Sequence, residues 1–188
     1  MNRREAIKRV GLLCGGALYA PAVASLLSGC QTGGAAAFVP RTLTPEQNAL
    51  VVHLTEMILP ATDTPGAKAA RVNEFIDLIL TDWSPDEDRE HFLAGLADVD
   101  AKSREAHGVA FLEAAPEEQV AMMRAMEEEA LAAPPNDALP PFFAMLKQLT
   151  LLGYYTSEIG ATEELQWLAA PGRYDGCLPL DEVGRAWA

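Results

Sequence analysis

Three cysteines and three histidines are the side chains of this 188-residue chain best suited to act as nucleophiles, metal ligands or proton carriers. Their spacing builds no motif. His53, His91 and His107 fall on different expected elements, and none belongs to an H-E-x-x-H pair. A metal or acid–base site made from them would have to be assembled by folding. No G-x-G-x-x-G follows a strand pattern, and there is no Walker loop or G-x-S-x-G elbow. No C-x-x-C-H occurs, which excludes covalent c-type haem in this chain. Met122, Met123 and Met126 read as adaptable core fillers rather than metal ligands. The Glu127-Glu128-Glu129 run reads as a solvated face. No catalytic, metal-binding or cofactor-binding residue is therefore assigned in this chain.

The cysteines divide by position. Met1-Asn2-Arg3-Arg4-Glu5-Ala6-Ile7-Lys8-Arg9 is a basic head, and residues 10–27 are a weakly apolar run with Gly15, Gly16 and Pro21. Together they read as an export signal over residues 1–29, not as a transmembrane helix. Leu27-Ser28-Gly29-Cys30 has the form of a lipobox, in which Cys30 is acylated and becomes the new N-terminus. Ala22-Val23-Ala24 is a competing cleavage site. Arg3-Arg4 gives the head the look of a twin-arginine signal, with Ala6 where that pattern usually has Phe; ordinary Sec export stays open. Cys14 falls in the removed segment, so Cys177 is the one thiol left beyond Cys30. An odd cysteine in an oxidising compartment is either buried and unpaired or bonded to another chain, and both readings stand.

Charge narrows the partners. The net charge is −13, but residues 1–29 carry +3, leaving −16 for the remainder (10 basic against 26 acidic residues). Such a domain is a poor match for nucleic acid or for electrostatic attachment to anionic lipid.

The elements that would position any site are helical. Residues 30–43 include QTGGAAA and read as a flexible, lipid-anchored tether, and residues 44–188 as the domain. Thr44-Pro45-Glu46-Gln47 is a capping box with Pro at the first helical position, opening a helix that Pro60 ends. Thr64-Pro65 is read as the start of a second helix carrying Val72, Phe75, Ile76, Ile79 and Leu80. Ser84-Pro85-Asp86-Glu87 repeats the capping pattern for a third, which Gly108 ends. Pro116-Glu117-Glu118-Gln119 opens a fourth.

The fifth helix is the centre. Residues 142–159 hold no proline and only Lys147 and Glu158 as charges. Phe142, Met145, Leu146, Leu149, Leu152 and Ile159 form one 3.6-period stripe, and Phe143, Leu151, Tyr154 and Tyr155 widen it. A helix apolar almost all round is buried on more than one side. Gly153 within it suits a close helix–helix crossing. A short helix from Thr162 is expected to carry Trp167 and Leu168, followed by an irregular tail with Tyr174 and Trp187. The sum is an all-α domain of about five to six helices with an irregular C-terminal tail.

Four stretches carry a resemblance. They are Ile58-Leu59-Pro60-Ala61-Thr62-Asp63-Thr64-Pro65-Gly66-Ala67; Phe75-Ile76-Asp77; the run from Phe142-Phe143 through Leu149-Thr150-Leu151-Leu152-Gly153-Tyr154-Tyr155-Thr156-Ser157-Glu158; and Pro171-Gly172-Arg173-Tyr174-Asp175-Gly176-Cys177. In this order they resemble the gluconate 2-dehydrogenase subunit 3 family. That resemblance implies a non-catalytic small subunit of a periplasmic, membrane-bound dehydrogenase. Its large glucose–methanol–choline-type (GMC) partner would carry FAD and oxidise a CH–OH donor, and a c-type cytochrome, with its haem, would be a third subunit. The small subunit would carry the twin-arginine signal and aid maturation and export of the large one.

On that picture, Phe143, Leu151, Tyr154 and Tyr155 of the central helix and Trp167, Tyr174, Cys177 and Trp187 of the tail are the expected partner contacts, since aromatics are favoured interface anchors. For the helix residues, service in the chain's own core is an equal alternative. Two further functions compete: a free-standing envelope lipoprotein acting as adaptor or chaperone, and an enzyme working from a helical cleft.

Overall fold

The computed structural model describes residues 38–134, 139–170, 172 and 176–188. Five longer helices come first: α1 (Pro45–Ile58), α2 (Val72–Asp82), α3 (Asp86–His107), α4 (Pro116–Ala132) and α5 (Phe142–Tyr155). A 3-10 turn (Phe111–Glu113) joins α3 to α4, a π-helical turn (Gly160–Glu164) follows α5, and a short α6 (Leu180–Val183) lies in the tail. No strand is formed among the described residues beyond one isolated parallel bridge between Gln166 and Trp187.

α5 packs against each of α1, α2, α3 and α4, as its breadth of apolar residues requires. Leu146 and Thr150 are fully buried, and the Thr150 hydroxyl donates to the Leu146 carbonyl at 2.7 Å. The core around this helix is built from Leu54, Ile76, Leu80, Phe92, Leu96 and Phe111. Phe142 meets Phe92 edge-on, with ring centroids 5.2 Å apart. The crossing at Gly153 is close: a Cβ there would lie 2.7 Å from Phe75 Cδ1 of α2. Met123 is buried and Met122 and Met126 pack on the core, as fillers.

Local signals set several boundaries. The Thr44 box forms in full: Gln47 N–H donates to Thr44 Oγ1 at 3.2 Å, and Thr44 N–H to Gln47 Oε1 at 2.9 Å. Gly108 ends α3 in the left-handed region, at φ 78°. Glu118 accepts from Ala115 N–H at 2.9 Å at the head of α4.

Other boundaries depart from the sequence expectation. α2 starts at Val72, with Arg71 before it at φ 55°; Thr64 does not cap it, because its hydroxyl donates to Glu164 at 2.6 Å. Ser84 makes no cap bond for α3. α5 ends at Tyr155, four residues early: Thr156 and Ser157 turn their hydroxyls onto the Leu152 and Tyr154 carbonyls, each at 2.6 Å. The chain then folds back so tightly that a Cβ on Gly160 would collide with the Tyr154 carbonyl. No helix starts at Thr162 to carry Trp167; Gln166 instead pairs with the tail.

The compact unit begins at Pro40, so residues 40–43, assigned by sequence to the tether, belong to it. The cause is Asp77, a buried carboxylate of α2. It accepts from the backbone N–H groups of Arg41, Thr42 and Leu43 at 2.8, 3.0 and 2.9 Å.

Candidate functional site

The loop at residues 60–66 has the most elaborate support of any irregular segment. Glu56, near the end of α1, accepts from Ala61 N–H at 3.0 Å and from Lys68 N–H at 2.8 Å, one bond to each oxygen. Glycine is needed at 66, since a Cβ would lie within 2.6 Å of both Glu56 oxygens and of Ala61 N. Ala67 N–H closes the turn on the Leu59 carbonyl at 2.9 Å. Two distant groups then fix the loop to the C-terminal half: Tyr154 Oη donates to the Pro65 carbonyl at 2.7 Å, and Thr64 to Glu164. Residues 60–63 are left exposed. Burial raises the Tyr154 phenol above its ordinary pKa, so it stays a neutral donor.

The tail continues this surface. Gln166 N–H donates to the Ala186 carbonyl and Ala188 N–H to the Gln166 carbonyl, both at 2.9 Å. The Gln166 side-chain amide donates to the Val183 and Arg185 carbonyls, and the Arg185 guanidinium to the Glu163 carbonyl. Trp167 and Trp187 are thereby carried on paired segments, 62% and 52% exposed, and Leu168 is exposed beside Trp167. Loop, π turn and tail form one continuous bonded surface, with bare aromatic side chains at the tail end.

The expected partner residues separate accordingly. Phe143 and Tyr154 are 7% and 3% exposed and belong to the core. Leu151 is half-buried; Tyr155 is exposed, its ring edge-on to Tyr154 at 5.3 Å. Cys177 is exposed, so the buried-thiol reading does not hold. Arg3, Arg4, Cys30 and Tyr174 lie outside the described residues.

The histidines are not brought together. His53 Nε2 pairs with Gln119 Oε1 at 2.8 Å, His91 Nε2 with the Pro140 carbonyl at 3.0 Å, and His107 Nδ1 with Glu118 at 3.2 Å. No group of three or more His, Cys, Asp or Glu side chains is placed to hold a metal ion among the described residues. The groove lined by α3, α4 and the start of α5, about 310 Å³, carries Lys102, whose pKa is raised chiefly by its hydrogen bond to Asp98.

Sequence reasoning missed Glu56 and Asp77. Asp77 had a readable signal, a carboxylate between Ile76 and Leu78 on an amphipathic helix. Glu56 had none, because its partners are defined only by the folded loop.

The fold and this surface define a class: a small all-α domain whose bare aromatics sit on irregular segments fastened to a helical core. The chain belongs to the gluconate 2-dehydrogenase subunit 3 family, whose model matches residues 45–172. No curated protein and no solved structure matches the chain.

Proposed function

We propose that this chain is the non-catalytic small subunit of a periplasmic, membrane-associated dehydrogenase of the gluconate 2-dehydrogenase type. Its partner is a large GMC-type subunit that carries FAD, with a membrane-bound c-type cytochrome as a third component. The chain assists maturation of the large subunit, takes it across the membrane by the twin-arginine route through Arg3-Arg4, and holds it there through lipid on Cys30. The observation that carries this reading is the family match over residues 45–172. The paired arginines and the Leu27-Ser28-Gly29-Cys30 sequence support the export and anchoring steps. The exposed Tyr155, Trp167 and Trp187, with Cys177 on the same tail, are the surface for the large subunit.

The test is a gentle detergent pull-down of the protein from its native membrane, with the flavin spectrum recorded and every co-purifying chain identified. A bound FAD polypeptide lacking its own signal is the expected result. A colourless single polypeptide overturns the proposal in favour of a free-standing lipoprotein adaptor. Replacing Arg3 and Arg4 by Lys should strand the flavoprotein in the cytoplasm; its continued arrival in the periplasm would sink the carrier role alone.

A further inference from the structure

The peptide bond between Arg41 and Thr42 has a place of its own in the sequence. No lysine or arginine lies between Arg9 and Arg41, so Arg41 is the first basic residue after Cys30. The next, Lys68, lies beyond α1. A protease of trypsin type that cut after Arg41 would separate the acylated Cys30 of the proposed function from the whole helical domain.

Folding conceals this bond on both sides. A trypsin-type protease takes the basic side chain into an acidic pocket and holds the flanking backbone as an extended strand through main-chain hydrogen bonds. Here the guanidinium is already held: Arg41 Nη1 and Nη2 donate to the two Asp82 oxygens at 3.0 and 2.8 Å. The Thr42 N–H, which belongs to the scissile bond, donates to Asp77 Oδ1 together with that of Leu43, and the Arg41 N–H donates to Oδ2. Thr42 Oγ1 and Thr81 Oγ1 are 2.7 Å apart; Thr81 already donates to the Asp77 carbonyl, so Thr42 is the donor to Thr81. The Leu43 side chain is buried in the core. The arginine side chain is 58% exposed, yet it and the amides around the bond are occupied.

Every one of these polar partners comes from α2. Asp77 is 1% exposed, between the fully buried Ile76 and Leu80, one residue before it and three after it. Its carboxylate is in position only while α2 is packed against α1 and α5. Local opening that withdraws Asp77 frees three backbone N–H groups at once, and withdrawal of Asp82 frees the guanidinium.

We infer that Arg41–Thr42 is a masked cleavage site, which a trypsin-type protease reaches when α2 unpacks, so that a domain with α2 unpacked is cut from its anchor. Hydrolysis adds water across the bond and leaves a carboxylate on Arg41 and an ammonium group on Thr42. The masking follows from the bonds to α2; the detachment rests on acylation at Cys30.

The test uses the full, membrane-extracted chain reconstituted in phosphatidylcholine vesicles and treated with trypsin. Products that begin at Thr42 and at Ala69, from cuts after Arg41 and Lys68, are timed by mass. Asp82→Ala should speed the cut after Arg41 severalfold. Asp77→Asn, which leaves one acceptor oxygen where two served three N–H groups, should speed it more than tenfold, because cleavage tracks the open population. The cut after Lys68 should change by less than twofold in Asp82→Ala. Adding Arg41→Gln to Asp77→Asn should abolish the Thr42 product. Wild type cut after Arg41 as fast as both variants overturns the masking. Both cuts rising together in Asp82→Ala, which breaks only an exposed pair, overturns it too, since that is general unfolding. A Thr42 product that stays with the vesicles overturns the detachment and the anchor at Cys30, while the two rates still decide the masking.

Discussion

α5 and the tail after it are both rich in large apolar and aromatic residues, yet they use them in opposite ways. α5 lies among four helices and buries Phe143, Leu146 and Tyr154. The tail is held by backbone pairing and by the Gln166 and Arg185 side chains, which leaves Trp167 and Trp187 uncovered. Helical periodicity gathers apolar residues onto surfaces that neighbouring helices can cover. An extended segment fastened by its main chain fixes the backbone without enclosing the side chains. The same residue types therefore serve stability in one region and are available for recognition in the other.

The sharpest way to break this contrast is to truncate each region in turn. Leu146→Ala should lower the unfolding free energy by about 3 kcal/mol, within the usual range for a buried leucine. Urea denaturation of the purified protein reads it, and a loss below about 1 kcal/mol would remove α5 from the centre of the core. Trp167→Ala with Trp187→Ala should change stability by no more than about 0.5 kcal/mol, as for surface positions. The same double variant should weaken capture of the flavoprotein by at least ~30-fold, the effect of losing an interface hot spot of about 2 kcal/mol. Unaltered capture would show that the tail is not the docking surface.

How far the contrast can be read from sequence follows from the range of the forces. α1, α4 and α5 start where proline or a capping box places them, because these signals act within one turn. Gly153 was legible as a close crossing for a related reason: an apolar helix has little use for glycine unless something approaches. Thr64-Pro65 misled, since a local cap signal lost to Glu164, one hundred residues away. The end of α5 misled as well, because hydroxyls at 156 and 157 compete for its last carbonyls where the apolar pattern runs on. Within the candidate site, residue type marks Trp187 correctly as a large apolar residue outside the helices, whereas Trp167, expected on a short helix from Thr162, lies beyond the π turn on a segment paired with the tail. Residue type could not separate Tyr155, exposed, from Tyr154, buried, since adjacent helix positions differ by only 100° and the stripe is wide.

Tyr154 offers a finer test, because it is the polar handle by which the buried helix holds the 60–66 loop. Tyr154→Phe should cost about 1 kcal/mol, the net worth of one hydrogen bond. The sign with pH follows from its raised pKa. The folded state favours the neutral phenol, so this stabilisation is complete below the unfolded pKa of about 10. It is lost as the pH rises from there through the higher folded value. The gap between wild type and Tyr154→Phe should therefore narrow in alkali, as denaturation at stepped pH would record. A gap that widened would mean the phenolate is the better-accommodated form.

The smallest effect belongs to the tail's fastening. Gln166→Ala removes the side-chain bonds to the Val183 and Arg185 carbonyls while leaving the main-chain bridge. These bonds are partly exposed and do not touch the core, so global stability should fall by about 0.5 kcal/mol or less. Local opening is a different quantity. The Ala188 amide, which donates to the Gln166 carbonyl, should lose protection from hydrogen exchange, while the buried Thr150 amide of α5 keeps its own. If both amides lost protection together, tail and helix would open as one unit. The tail could then not rearrange on a partner without unfolding the core, and the division of labour between the two regions would have to be abandoned.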